Sequence, residues 1–304
     1  MITESLSARH PYTGKIFFVL GSAHANWPEI TELFPPGEGV TRVFTDLQAA
    51  LDQTTASGDD IIYIAPGYTE SITAAGDIDI NNAHVTIIGL GEGNQRPTLT
   101  FDTATTADLN VDGAGVTFEN IRFDCTGIDA LVAPLDVNAA ACTFRNCEFI
   151  TGDGGGQCIN AIVTDATASY MLVDDCVFEG GQNPGTTSAI RIVGGTNTRI
   201  KNSYFDGKYK LTAGAIEVTT TAAGALLIEN CNIRNKTLSS VSAMNFVAGT
   251  TAVVVGCSLG ILSGTTPISI TEGAASNGGG KSGSVMTARN YFRAATTIAA
   301  GTLL

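Results

Sequence analysis

Seven cysteines, three histidines and a small set of carboxylates and arginines carry whatever reactive chemistry this chain has. Cys142 and Cys147 sit five apart in "CTFRNCEFI" (142–150), a separation that could serve a metal ion. A zinc site would need a second pair or nearby histidines, and His10, His24 and His84 all lie upstream. The spacing therefore predicts no metal centre and no cofactor. Seven is an odd number, so a complete disulfide framework is impossible. Cys147 with Cys176, and Cys231 with Cys257, could come close enough to bridge, but reduced thiols packed as small apolar groups are expected. "GDGGGQ" (152–157) lacks the Lys-Ser/Thr of a phosphate loop and reads as a turn.

The elements that position these residues form a repeat. "CTFRNCEFI" has near copies in "VTFENIRF" (116–123), "MLVDDCVF" (171–178), "TRIKNSYF" (198–205) and "LLIENCNI" (226–233). Aligning them on Asn146 gives Gly89, Asn120, Asn146, Asp175, Asn202, Asn230, Gly256 and Asn290, spaced by 31, 26, 29, 27, 28, 26 and 34 residues. A loose period of this size signals a stacked solenoid. Apolar residues occupy the columns two before, one after and three after this position. Strand alternation alone cannot put all three inside, so the chain must bend at the aligned residue. Asn, Asp and Gly accept the left-handed backbone such a bend needs. Asn120, Asn146, Asp175, Asn202 and Asn230 are thus a structural ladder, with side chains able to hydrogen-bond along the column.

A second strand set precedes each phrase, from "DIDI" (77–80) through "LNV", "LDV", "IRI", "IEV" and "MNF" to "ISI" (268–270). The sequence predicts an all-β fold, a single-stranded parallel β-helix of about eight coils over residues 41–294. "TDLQAAL" predicts a capping helix over 45–56, with Thr45 as N-cap and Gln48 closing a capping box. Residues 1–40 form an arm too apolar for a solvated tail, and 295–304 form a C-terminal tail.

The expected outward column of the second strand set is Asp79, Asn110, Asp136, Asn160, Arg191, Glu217, Asn245 and Ser269. Asp136, Arg191 and Glu217 share that face. Taken alone they read as a solvated surface with cross-coil charge pairs. The column offers too few clustered oxygens for calcium.

A net charge of −13 argues against a nucleic-acid partner. No apolar run reaches membrane-span length. "IFFVL" (16–20) is too short, and its polar leader too long, for a secretory signal.

"VFTDLQAALDQTTASGDDIIYIAPGYTESI" (43–72) resembles the entry of pectate-lyase-like right-handed parallel β-helix proteins, with its capping helix, first strand and Pro66-Gly67-Tyr68-Thr69-Glu70 turn. That scaffold hosts lyases, hydrolases, esterases and inert virion proteins, so it says little about activity. Lyases of the superfamily use acidic residues and an arginine base. The resemblance would make Asp136, Arg191 and Glu217 a uronate site on a tail spike. "RIK" (199–201) with "DD" (174–175) is similar to polygalacturonases, but their "GHG" is missing. The methylesterase Gln/Asp phrase is missing too, which makes the "G-Y-E" turn structural.

"TGKIFFVLGSAHANWPEITELFPPGEGVTRVF" (13–44) resembles the opening of tailed-phage structural proteins with this fold. The resemblance implies a virion role. The expectation is a non-enzymatic capsid decoration or cement protein, assembled in the host cytoplasm and homotrimeric. It would bind the major capsid protein on the capsid surface through apolar anchors Phe17, Phe18, Trp27 and Phe34. The alternative is a tail-spike polysaccharide lyase acting on acidic glycans.

Overall fold

The computed structural model describes residues 14–21, 24, 27–33, 41–56, 58–153, 155–180, 186–210, 213–221, 223–237, 242–261, 269–272, 285–288 and 291–293; the side chains of Trp27 and of residues from 261 onward are not described. The chain winds into a parallel β-solenoid whose strands stack into three long sheets. The first sheet runs from Val43–Phe44 at one edge to Val285–Ala288 at the other, and holds the strands before each aligned corner. The second holds the strands after the corner, from Thr69–Ile72 to Tyr291–Arg293. The third is the second strand set, eight strands from Ile78–Ile80 to Ser269–Glu272, one per coil. At about 4.8 Å per coil this makes a rod on the order of 40 Å long.

The corners follow from backbone chirality. Asn120, Asn146, Asp175, Asn202 and Asn230 have φ between 50° and 59°, and Gly256 has φ of 66°. Each Asn or Asp corner N–H donates to a carbonyl of the next coil: Arg145, Asp174, Lys201, Glu229 and Val255 in turn. The side-chain ladder is less continuous than expected. Asn146 Nδ2 donates to Asn120 Oδ1 at 3.3 Å, but Asn202 Nδ2 donates to Asp174 Oδ1 at 2.9 Å instead of the Asp175 corner. Asp175, an acceptor when ionised, has no amide with which to extend the row. At the first coil Gly89 makes no left-handed bend. A loop with a 3-10 turn at Gly93–Gln95 intervenes, so Leu90, expected inside, is exposed.

A second column of left-handed residues lies between the third and first sheets: His84, Gly115, Ala141, Tyr170, Asn197 and Ala225. Their N–H groups also reach across to the next coil. Ala and Tyr carry no sequence signal for this conformation, which costs an L residue on the order of 1–2 kcal/mol. The cross-coil hydrogen bonds offset that cost.

Inside, the expected columns are filled. Ile87, Phe118, Phe144, Val173, Ile200, Ile228 and Val254 are fully buried. Phe123, Phe149, Phe178 and Phe205 stack, with consecutive centroids 4.9, 4.4 and 4.7 Å apart.

The N-terminal end departs from the expected division. Strand Ile16–Val19 lies between Val43–Phe44 and Ile61–Ile64 and pairs with both in parallel, so this part of the arm is an integral strand of the rod. The capping helix is short, Leu47–Leu51, and its N-cap is Asp46, whose carboxylate accepts from Ala49 N at 2.8 Å. The N-cap therefore stands one residue later than expected, and the expected capping box does not form, because the third helical residue is Ala49, which has no side chain to reach back. Gln48 turns away and accepts from Asp79 N, tying the helix to the first coil. A separate helix, Trp27–Leu33, rests Ile30 on a small apolar cluster of Leu20, Val43 and Ala65.

Candidate functional site

Register decides what the third sheet's outer face can do. Its column reads Asp79, Asn110, Asp136, Val163, Arg191, Glu217, Asn245 and Thr271. Two expected members are displaced. Asn160 is buried and accepts from Ser188 Oγ at 2.9 Å, and Ser269 pairs with Ser242. The strand Asn160–Thr164 does not alternate at its start, where Asn160, Ala161 and Ile162 are all buried, and the pairing with Ser269–Glu272 shifts register between Ser242 and Met244. Val163 therefore separates Asp136 from Arg191, two coil steps or about 9.6 Å apart along the sheet.

Arg191 and Glu217 are neighbours, as expected. Arg191 Nε donates to Thr219 Oγ1 at 3.2 Å. Burial pushes the Glu217 carboxyl up, while Arg191 and Lys210 pull it down. Asp136 is pushed up by burial and then by Asp108, Asp112 and Asp165, an acidic surround that no arginine interrupts. The three residues proposed for uronate chemistry thus split into an Arg191–Glu217 charge pair and a remote aspartate.

The other candidates are held by the scaffold. Cys147, Cys176, Cys231 and Cys257 form one inner column broken by Ser203, and all seven cysteines are free and buried. Each thiol of that column sits 3.4–3.5 Å from the carbonyl two residues earlier, which its S–H can reach. Burial drives the Cys176 thiol up, and thiol–thiol hydrogen bonding with Cys147 adds to it. Cys142, in a different column, is pushed up to about 11 by burial. Cys125 and Cys158 form a third pair, hydrogen-bonded thiol to thiol, that the repeat did not reveal. Among the described residues no group of three His, Cys, Asp or Glu is placed to hold a metal ion.

Ile200 is core, Asp175 is a corner, and Asp174 pairs with Lys201 at 3.1 Å, so the hydrolase-like letters are structural. The "G-Y-E" turn is structural as well. Glu70 accepts from Leu47 N at 3.1 Å, at the start of the capping helix. The Tyr68 hydroxyl lies 2.9 Å from both Glu70 Oε2 and the Thr45 carbonyl. Burial raises Glu70, and these hydrogen bonds lower it.

Of the expected anchors, Phe17 is wholly buried in the rod's own core, packed edge-on against Phe44 at 6.0 Å. It points inward because it continues the column of Ile62 and Ile87. It is no surface anchor. Phe18 is half-buried and stacks on Tyr63. Trp27 starts a helix, with its side chain outside the described set, and Phe34 lies outside the described residues.

One surface pattern went unread. The first sheet's outer column aligns Glu119, Arg145, Asp174, Lys201 and Glu229, alternating in sign at every coil. The second sheet adds Arg122–Glu148, opposite in register and 2.7 Å apart, and Lys236, just past the strand Asn232–Asn235, reaches Asp206 at 2.9 Å. Opposite charges directly across strands stabilise the pairing and penalise a slipped register. The pattern was visible one residue before each aligned corner, a position not tabulated in the repeat.

No protein-family model matches the chain, and no curated protein matches it. Among solved structures, it is similar to "Geobacillus virus E2 - ORF18" with a TM-score of 0.36 and 13% identity. The alignment covers 74% of this chain and 57% of that one, so the chain spans less than two thirds of that protein's length.

Proposed function

We propose that this chain is a non-enzymatic structural protein of a tailed-phage virion, a decoration or cement protein that binds the major capsid protein as a homotrimer. The observation that carries the reading is how the side chains are spent. Thiols, asparagines and cross-coil ion pairs hold coil to coil, and the aromatics stack along the rod axis. The resemblance of residues 13–44 to phage structural proteins supplies the setting.

The anchoring surface needs revision in this light. Phe17 is committed to the core, so contact with the shell would fall to exposed apolar groups at the same end of the rod. Leu33 on the short helix is 67% exposed and Leu90 on the first coil 38%. Against the lyase alternative stands Val163, which lies between Asp136 and Arg191 in the charged column.

Cryo-electron microscopy of native particles tests the proposal. Rods at repeated lattice sites on the shell support it. Density confined to the tail moves the chain to a spike, and particles without the rod overturn the virion reading. A separate assay for unsaturated uronate release from acidic glycans should find none; release that Arg191→Ala abolishes would revive the lyase.

A further inference from the structure

The inner column that follows the aligned corners is not uniform. Along the rod it reads Ile121, Cys147, Cys176, Ser203, Cys231 and Cys257, all buried. Register stacks these residues directly. Arg145 lies opposite Asp174 and Glu148 opposite Val177, which sets Cys147 opposite Cys176 on the next coil. Glu229 opposite Val255 and Asn232 opposite Ser258 set Cys231 opposite Cys257 in the same way. Backbone hydrogen bonds fasten both steps, from Val177 N to the Cys147 carbonyl at 2.9 Å and from Ser258 N to the Cys231 carbonyl at 2.8 Å. Stacked residues one coil apart have Cα atoms about 4.8 Å apart, inside the roughly 4.4–6.8 Å span that a disulfide accepts. In both pairs the thiols are hydrogen-bonded to each other.

Ser203 fixes which thiols can pair. It stands midway, its hydroxyl accepting from Cys176 N at 3.1 Å and donating to the Lys201 carbonyl at 2.8 Å. Cys176 and Cys231 are therefore two coil steps apart, about 9.6 Å, beyond the limit of about 7 Å for a disulfide. On its other side Cys147 has Ile121. Among the described residues of this column, each thiol has one thiol beside it, and a single connectivity is open. Cys142 lies in another column, opposite Val116 and Met171, with no thiol on either side.

We propose that Cys147–Cys176 and Cys231–Cys257 are two latent disulfide staples, reduced as the chain folds and closed by hydrogen peroxide, each tying one coil to the next. One sulfur, as thiolate, attacks a peroxide oxygen. The O–O bond breaks, a sulfenic acid forms, and the departing hydroxide takes the thiol's proton to leave as water. The neighbouring thiol then attacks the sulfenic sulfur. The S–S bond forms, the S–OH bond breaks, and a second water leaves. Each pair thus loses two protons and two electrons to one peroxide. Burial raises the Cys176 thiol, so the first step is slow. A rod made in a reducing compartment gains its staples after leaving it.

Peptide mapping of the full folded chain tests this. Protein purified with reductant, freed of it and treated with hydrogen peroxide is denatured, alkylated with iodoacetamide and digested with trypsin and a glutamate-specific protease. The expected map holds a Cys147–Cys176 link and a Cys231–Cys257 link, with Cys142 alkylated. Cys176→Ser should remove the first link and keep the second, and Cys257→Ser the reverse. Ser203 already occupies this column, so serine is accommodated there. A link between coils restrains the unfolded chain, so urea melts should show a higher unfolding midpoint for the oxidised protein. Reductant should reverse that rise, and the Cys176→Ser, Cys257→Ser double variant should not show it. Column thiols recovered from peroxide-treated native protein as alkylated or sulfinic forms, without the links, would overturn the proposal. So would links that join Cys142 or cross Ser203, or a midpoint that stays put or falls once both links are present.

Discussion

Phe149→Ala is the perturbation that probes the core most directly. The ring is fully buried, with centroids 4.9 Å from Phe123, 4.4 Å from Phe178 and 6.2 Å from Phe144. Truncating a core phenylalanine costs about 3–5 kcal/mol, part of it from the cavity left behind. Aromatic pairs add about 0.5–1.5 kcal/mol each beyond buried area. Three are lost here, which places the cost near the top of the range, about 5 kcal/mol. A double-mutant cycle separates the stacking. Phe149 with Phe178 should couple by about 1 kcal/mol. Phe149 with Phe205, which Phe178 keeps apart, should couple by less than about 0.5 kcal/mol. Denaturant unfolding followed by circular dichroism gives the totals, and hydrogen exchange gives the location. A solenoid coil contacts only its neighbours, so protection should fall in Arg122–Asp124, Glu148–Asp153 and Val177–Gly180 and persist in Ile78–Ile80. Zero coupling between Phe149 and Phe178, or uniform loss of protection along the rod, would refute the stacked-column reasoning.

Three further expectations follow from individual groups. Burial and neighbouring aspartates raise the Asp136 carboxyl above its ordinary value, so its ionised form opposes folding above that raised pKa, and the penalty disappears as pH falls. Asp136→Asn should therefore stabilise the protein at pH 7 by a few tenths of a kcal/mol, about what a half-exposed charge allows, with the gain shrinking towards pH 3 in paired urea melts. Tyr209 is fully buried and its hydroxyl has no hydrogen-bond partner among the described residues, so Tyr209→Phe should raise stability by about 1 kcal/mol; a loss of stability would reveal a bond that the hydroxyl makes. With the Cys142 thiol pushed up to about 11 and all seven thiols buried, iodoacetamide at pH 8 should leave the native protein unlabelled and modify seven sites after denaturation.

Fold was legible in the sequence because the solenoid writes itself in columns. A bend at Asn146 forces Phe144, Cys147 and Phe149 inward, and the same logic repeats at every coil. Where the letters carried no conformational preference, reading stopped. Ala141 and Tyr170 adopt left-handed backbone because the coil must turn there, and neither residue type announces it. Phe17 was assigned to the surface because it lies outside the repeat; pairing with Ile62, not local pattern, puts it in the core. The third-sheet face shows the limit most sharply. Reading Asn160 into the outward column placed a polar residue where Val163 stands, and that one register step separates Asp136 from Arg191.

Copy number in the particle tests the structural role most directly. Quantitative mass spectrometry of purified native virions would count this chain against the most abundant shell subunit. A shell decoration role predicts hundreds of copies per particle, in fixed ratio to that subunit. A few to a few tens would place it on the tail, and absence from particles would contradict the virion role.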